Sequence, residues 1–244
     1  MKKILLISVF LEIVYLIFSF VLAELFGQWS AIGEIIRMAL RVVSITFFAY
    51  YYQSYFDDEN KPFRAKKILT PHFIAALSLF FFFAIAYTNA AKATLFWQII
   101  FGISGMTAGW REELFYRGIV QNTLQKKFSH QIALLIATLL FTLSHVQYIV
   151  YGHPRELLLI AFAGTIFGAI FIHTGSVVFT AIVHGLYDSI LCLNLAPFRL
   201  DNAIATPILF FVMLAFLLII VKRPAATQQK IRAGDGDQDH FSLP

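Results

Sequence analysis

Apolar runs, each about as long as a lipid bilayer is thick, are the feature that most constrains this chain. A helix needs roughly 20 apolar residues to cross about 30 Å of hydrocarbon. About eight such runs occur, at residues 4–26, 35–53, 70–89, 95–122, 131–150, 156–173, 176–196 and 204–222. Because backbone in lipid must satisfy its hydrogen bonds internally, these runs predict an all-α fold, a polytopic membrane bundle of about eight transmembrane helices.

The composition agrees with a membrane location. Hydrophobic residues make up 59% of the 244 residues and charged residues only 14%, whereas a soluble domain carries about 25%. The net charge of +5 gives no reason to expect a nucleic-acid partner. We expect a single transmembrane domain at residues 1–223, in contact with the lipid bilayer. The polar segment 224–244 has no periodicity and is typical of a disordered tail.

Basic residues alternate between the two ends of successive runs. The clusters that would mark the cytoplasmic side are Lys2 and Lys3, Lys61, Arg64, Lys66 and Lys67, Lys126 and Lys127, and Lys222 and Arg223. By the positive-inside rule this pattern predicts that both termini are cytoplasmic. The small size and short loops favour a multi-pass protein of a bacterial plasma (inner) membrane.

One apolar run contains a cluster of ionisable residues. Residues 111–117 carry two acids and two bases within an apolar segment. Two more polar sites recur in later runs, at His145 and at the pair His184 and Asp188. Charged groups at membrane depth are costly, so they usually face the bundle interior and mark function.

These side chains are predicted to lie at one depth. At 1.5 Å per residue, Glu112 and His145 are each about 21 Å from the turn that joins their helices. On the same scale His184 is about 12 Å and Asp188 about 18 Å from that side of the membrane. Allowing for helix tilt, all four can share a layer near mid-membrane. The sequence therefore predicts a polar pocket within the bilayer.

The residue types in this layer suit hydrolysis. Glu112 could take a proton from water and later deliver it to a leaving amine. His145 could share that water. His184 and Asp188 could bind the developing oxyanion if each donates a hydrogen bond, which for Asp188 requires protonation. An ionised Asp188 would instead orient His184.

Four neighbouring residues are predicted to support the pocket. Glu113 and Arg117 are spaced i, i+4 and can form an ion pair on one helix face. Tyr116 shares an adjacent face with Glu112, and Phe141 lies one turn before His145. Elsewhere Glu12, Arg37 and Arg41 indicate a structural ion pair, or side chains that snorkel toward an interface.

Glycine and phenylalanine patterns predict packing rather than binding. Gly105 and Gly109, and likewise Gly164 and Gly168, are spaced as in the small-residue faces where membrane helices approach closely. Aromatic runs such as residues 79–83 are interpreted as lipid-facing bulk.

Three motifs on successive runs resemble those of one protein family. They are Glu-Glu-x-x-x-Arg at 112–117, Phe-x-x-x-His at 141–145 and His-x-x-x-Asp at 184–188. In this order they resemble the CAAX-protease and bacteriocin-processing (CPBP, Abi) family of intramembrane proteases, which includes the Rce1-type type II CAAX prenyl endopeptidases. The resemblance covers about residues 95–195.

The resemblance implies an eight-helix fold and peptide-bond hydrolysis. It implies that Glu112 is the water-activating base, that His145 assists it, and that His184 and position 188 face the oxyanion. In the prenyl-protein branch position 188 is typically Asn, and Asp188 fits the broader Abi branch. The substrate class expected is therefore a membrane-associated or lipidated peptide or protein, cleaved without a required cofactor.

Two alternatives stay open at this stage. In the first, zinc held by His145, His184, and Asp188 or Glu112 makes the protein an intramembrane metalloprotease. In the second, the pocket only binds, as in a non-catalytic bacteriocin-immunity or peptide-sequestering membrane protein. A transporter is disfavoured, because no inverted repeat or pair of broken helices is evident.

Overall fold

A computed structural model describes residues 2–27, 30–56, 68–87, 94–193 and 201–221, and within these ranges the chain forms helices and no strands. The helices are α1 Lys2–Phe26, α2 Ala31–Phe56, α3 Pro71–Tyr87, α4 Leu95–Glu113, α5 Asn122–Gln125, α6 His130–Leu143, α7 Gln147–Val150, α8 Pro154–Thr174, α9 Val177–Cys192 and α10 Asn202–Val221. A π-helical segment, Leu114–Gln121, joins α4 to α5. The predicted all-α class is confirmed.

Within the described residues, each predicted apolar run corresponds to one rod, by which we mean a helix or a series of helical segments joined end to end. The run 95–122 becomes α4, the π-helical segment and the first residue of α5, and the run 131–150 becomes α6 and α7. Three helices of the described ranges are long and apolar enough to cross a membrane, at Leu6–Phe26, His130–Val150 and Pro154–Thr174. The number of crossings and the side on which the termini lie stay predictions. The basic cluster at 61–67 and the tail 224–244 lie outside the described residues.

A short connection keeps α8 and α9 together. Helix α8 begins at Pro154, whose ring suits the first helical turn, and ends at Gly175 with a φ of 72°. Ser176 then starts α9, its hydroxyl oxygen accepting a hydrogen bond from the Phe179 backbone N–H at 3.1 Å. The turn of two residues sets α9 directly against α8.

An apolar core lies between α3, α8, α9 and α10. Phe80 and Phe83 of α3 are 0% and 1% exposed and pack into it, whereas Phe82 is 62% exposed. The interpretation of residues 79–83 as lipid-facing bulk was therefore wrong for two of its phenylalanines. A helix turns about 100° per residue, so neighbouring phenylalanines face opposite environments.

Helices α4 and α9 cross at van der Waals distance through glycines. A Cβ added to Gly105 would lie 2.9 Å from the Asp188 backbone, and one added to Gly109 would overlap the Gly185 backbone. On α8 a Cβ at Gly164 would lie 2.6 Å from the Phe141 ring. The predicted close-packing faces are thus confirmed. The α4–α9 crossing brings the acids of residues 112–113 beside His184.

We expect Gly109→Ala to destabilise the protein and Gly102→Ala to leave it unchanged or slightly more stable. The first methyl group meets backbone that cannot yield, and overpacking of this kind costs about 1–3 kcal/mol or more. The second would meet its nearest atom, Leu193 Cδ2, only at 3.9 Å. Thermal unfolding in detergent measures both. Equal midpoints for the two variants would show that the crossing is looser than described.

Candidate active site

The rod that carries the acidic motif changes its helical form at the motif. The Leu114 N–H bonds to the Trp110 carbonyl, four residues back, but the Asn122 N–H bonds to the Arg117 carbonyl, five back. All eight residues of the π-helical segment are buried. The sequence indicated an uninterrupted helix here, and the π form was missed. Such segments are frequent at functional sites, where they redirect side chains.

Glu112 faces two histidines that come from two other helical rods. Its Oε1 lies 4.0 Å from His145 Nε2, and its Oε2 lies 3.8 Å from His184 Nε2. The structure thus brings together three of the four side chains that the sequence placed in one layer. Both separations exceed a direct hydrogen bond and suit a single bridging molecule.

The orientation of His145 follows from the end of α6. Its Nδ1 lies 2.8 Å from the Phe141 carbonyl oxygen, which can only accept, so Nδ1 carries a proton and donates it. The neutral ring therefore presents a lone pair on Nε2 toward Glu112. Phe141 also packs its ring 4.8 Å from the His145 ring and 5.2 Å from Tyr116. The Phe-x-x-x-His spacing thus supplies both the acceptor and the contact surface.

His184 is held on both edges and on one face. Its Nδ1 lies 2.9 Å from Glu113 Oε1, and its Nε2 lies 3.4 Å from Asp188 Oδ2 one turn further along α9. The Phe167 ring of α8 stacks on the imidazole with centroids 3.9 Å apart. Because a carboxylate accepts, Nδ1 is the donor to Glu113. The site therefore determines which edge of His184 points toward Glu112.

The predicted pair of Glu113 with Arg117 is confirmed. Arg117 Nε donates to Glu113 Oε2 at 3.2 Å, and both side chains are 0% exposed. Arg117 Nη2 also donates to the Gly164 carbonyl at 2.8 Å. Glu113 is thus shared between a guanidinium and an imidazole, and the pair links the acidic motif to α8.

Exposure separates the groups that can react from those that support them. The side chains of Glu112, His145 and Asp188 are 16%, 19% and 27% exposed. Glu113, Arg117 and His184 are buried. A carboxylate and an imidazole lone pair therefore meet at the open side of the site, above a buried layer of charged groups.

Glu12, Arg37 and Arg41 all form structural ion pairs, which is one of the two alternatives that the sequence indicated. Arg37 and Arg41 donate to Glu34, at 2.6 Å and 2.9 Å. The cation that pairs with Glu12 is Arg111, which lies on α4 directly before Glu112. Spacing along one helix could identify the Glu34–Arg37 pair, but nothing in the sequence indicates which helices lie side by side.

Sequence reasoning also missed Phe167. Its position three residues after Gly164, within a small-residue face of α8, indicated only packing. The close approach that the glycines permit is what brings the ring onto His184. No residue pattern marks a stacking partner that comes from a different helix.

A metal ion is not supported by the donor geometry. Within the described ranges, no group of three or more His, Cys, Asp or Glu side chains is placed so that it could hold one. Catalytic zinc sites take three protein ligands at about 2 Å from the ion.

Comparison with known proteins gives one match. A family model described as type II CAAX prenyl endopeptidase Rce1-like matches residues 92–190, which include all three motifs. No curated protein and no solved structure matches the chain. The resemblance that the motifs indicated is confirmed, and with the three long apolar helices it identifies an integral membrane protein.

Proposed function

Because residues 92–190 match the family model described as type II CAAX prenyl endopeptidase Rce1-like, we propose that this protein is an intramembrane endopeptidase of the glutamate type. One observation carries the proposal. Glu112 stands 4.0 Å and 3.8 Å from two imidazole nitrogens on two other rods. These spacings fit a water held between a carboxylate and a histidine lone pair, beside a second histidine.

The attacking group in this mechanism is a water between Glu112 and His145. One of its protons is directed at Glu112 Oε1 and the other at the lone pair of His145 Nε2. As the water oxygen bonds to the peptide carbonyl carbon, its first proton passes to Glu112. His145 keeps the water oriented because its own Nδ1–H is engaged by the Phe141 carbonyl, 2.8 Å away. General-base assistance of this kind typically contributes about 10²–10⁴-fold in rate.

The oxyanion that forms in this step faces His184. Nδ1 of His184 already donates to Glu113, so Nε2 donates only when the ring carries both protons. The carboxylates of Glu113, Glu112 and Asp188 lie within 3.8 Å of the ring nitrogens and balance the charge of that imidazolium. Asp188 then has the role of orienting His184, which the sequence left open. Collapse of the intermediate breaks the C–N bond, and Glu112 returns its proton to the leaving amine.

The substrate in this proposal is a membrane-associated or prenylated peptide or protein. A substrate held in the bilayer fits a protein whose described helices include three that are long and apolar enough to cross a membrane. A farnesylated peptide that ends in a CAAX sequence is the first substrate to test, because the matched family is described by that activity. We further assign the protein to a bacterial plasma membrane.

The test compares purified wild-type protein with Glu112→Gln on this peptide in lipid vesicles. Release of the C-terminal tripeptide, followed by mass spectrometry, reports cleavage, and the unprenylated peptide shows whether the lipid is required. Cleavage by wild type that persists in Glu112→Gln would refute the glutamate mechanism. A wild-type protein that binds a peptide without cleaving it would favour the sequestering alternative.

We expect a metal chelator to leave the rate of turnover within about twofold of the untreated rate. In the proposed mechanism Glu112 activates the water as a general base, and no metal ion is needed as a Lewis acid. The measurement is the initial rate after incubation with 1,10-phenanthroline and gel filtration, with and without added zinc. An activity lost with the chelator and restored by zinc would establish the metalloprotease alternative. A non-chelating phenanthroline isomer serves as the control.

A further inference from the structure

A buried carboxylate on α1 ties together two points of the rod that carries Glu112. Glu12 is 5% exposed and pairs through Oε2 with Arg111. Its other oxygen, Oε1, accepts a hydrogen bond from the Tyr116 hydroxyl at 3.1 Å. Arg111 and Tyr116 are themselves 1% and 2% exposed. One side chain of α1 therefore satisfies two buried polar groups of the neighbouring rod.

These two attachment points lie on either side of the proposed base. Arg111 directly precedes Glu112, and Tyr116 follows it by four residues, about one helical turn. They also straddle the change from α-helical to π-helical hydrogen bonding after Glu113. A rod held at both points can neither rotate nor slide at Glu112.

The geometry of the contact suits a bridge better than a simple ion pair. An arginine and a carboxylate often pair through two parallel hydrogen bonds. Here Arg111 donates to Glu12 through Nη2, while its buried Nε has no hydrogen-bond partner among the described residues. The second carboxylate oxygen is instead used by Tyr116. Glu12 is thus placed to connect two sites on the rod.

A second residue of α1 reinforces this contact. The Tyr15 ring lies under Arg111, with the guanidinium carbon 3.5 Å from the ring centroid. The Tyr15 hydroxyl accepts a hydrogen bond from Arg41 Nε of α2 at 2.7 Å. Arg41 in turn pairs with Glu34 at 2.9 Å. The bridge is therefore anchored to α2 as well as to α1.

We propose that Glu12 is a positioning residue for Glu112, and that α1, which lies outside residues 92–190, completes the active site. The inference rests on the proposed function. The gaps of 4.0 Å and 3.8 Å from Glu112 to the histidines fit a single bridging water. A displacement of about 1 Å at a reacting group can cost about 100-fold in rate. Glu12 prevents that displacement without touching substrate.

The first test is Glu12→Gln, with Glu156→Gln as the matched control. Glu156 of α8 likewise accepts a hydrogen bond from a tyrosine hydroxyl, that of Tyr87 at 3.1 Å, and it has no part in the bridge or in the proposed chemistry. Both variants lose a carboxylate to which a tyrosine hydroxyl donates, and both should unfold at lower temperature. We expect only Glu12→Gln to lower kcat, by about tenfold, with KM for the farnesylated peptide within about twofold. Equal kcat in the two variants would overturn the proposal.

Tyr116→Phe serves if Glu12→Gln does not fold. It removes only the hydroxyl that reaches Glu12 and leaves the buried ring in place. We expect a fall in kcat of about fivefold with KM unchanged, because one of the two attachments is lost. A kcat equal to that of wild type would contradict the bridge.

A third measurement needs no substrate, so it separates this inference from the proposed function. In a Cys192→Ala background, Glu112→Cys places the single thiol of the chain at the site. Adding Glu12→Gln should change its reaction rate with a methanethiosulfonate reagent by about threefold or more, whereas adding Glu156→Gln should not. If wild type cleaves nothing but this difference holds, the positioning role stands and the proposed protease fails. An unchanged rate would refute the positioning role alone.

Discussion

Replacement of Glu112 by glutamine is expected to lower kcat for peptide cleavage by about 10²–10⁴-fold. The amide cannot take a proton from water, so the nucleophile is no longer generated at the site. KM should change little, because Glu112 acts on the water and contributes little to substrate binding. Its nearest partners, His145 Nε2 and His184 Nε2, lie at 4.0 Å and 3.8 Å, so no short hydrogen bond is lost. The variant should therefore fold.

Glu156→Gln is the matched control for this measurement. Glu156 is a partly buried carboxylate of α8 that accepts hydrogen bonds from the Tyr87 hydroxyl at 3.1 Å and 3.2 Å. It has no role in the proposed chemistry, and its variant should keep kcat within about twofold of wild type. Initial rates over a range of peptide concentrations, with unfolding midpoints for all three proteins, give the comparison. A Glu112→Gln enzyme as active as Glu156→Gln would exclude Glu112 as the base.

Truncation of Arg117 to alanine is expected to lower the free energy of unfolding by about 3–5 kcal/mol. Glu113, which is 0% exposed, loses the guanidinium that lies 3.2 Å from its carboxylate. The Gly164 carbonyl oxygen also loses its hydrogen bond from Arg117. An uncompensated buried charge is among the most destabilising changes that a single substitution can make. Reversible unfolding in mixed detergent, or protease resistance of the folded fraction, measures the loss.

The double variant Glu113→Gln with Arg117→Met distinguishes charge compensation from packing. It removes both charges while keeping side chains of similar length, so most of the lost stability should return. Activity should not return, because His184 Nδ1 then donates to an amide oxygen that carries no charge to support an imidazolium. Full activity in the double variant would show that Glu113 has no electrostatic role in the reaction. A double variant as unstable as Arg117→Ala would show that packing, and not charge, dominates.

The features that depend on spacing along a single helix could be predicted from the sequence. The apolar runs predicted the rods, and the i, i+4 spacing predicted the Glu113–Arg117 pair. Spacing from the helix ends placed Glu112, His145 and His184 at one depth, and the structure brings the three together. Each of these inferences depends only on helical geometry, which is nearly independent of the neighbouring helices.

Contacts between different helices could not be predicted in this way. Glu12 pairs with Arg111, 99 positions away in the chain, and Phe167 stacks on His184 from a different rod. Both depend on which helices lie side by side and on how each is rotated about its axis. The π-helical segment was missed for a related reason. No residue pattern in Leu114–Gln121 requires it, and all eight residues of the segment are buried against other parts of the bundle.

The glycine crossing between α4 and α9 has a consequence for how the protein can adapt to different peptides. Gly109 packs directly on the Gly185 backbone, so no layer of side chains separates the two helices there. The two helices therefore cannot easily slide past each other. Glu112 and His184, which lie on these two helices, are consequently expected to keep a fixed position relative to each other. His145 lies beyond the last residue of α6, in the turn at 144–146, and belongs to neither of these two helices. Differences in the size of the bound peptide are therefore expected to leave the distance between Glu112 and His184 unchanged.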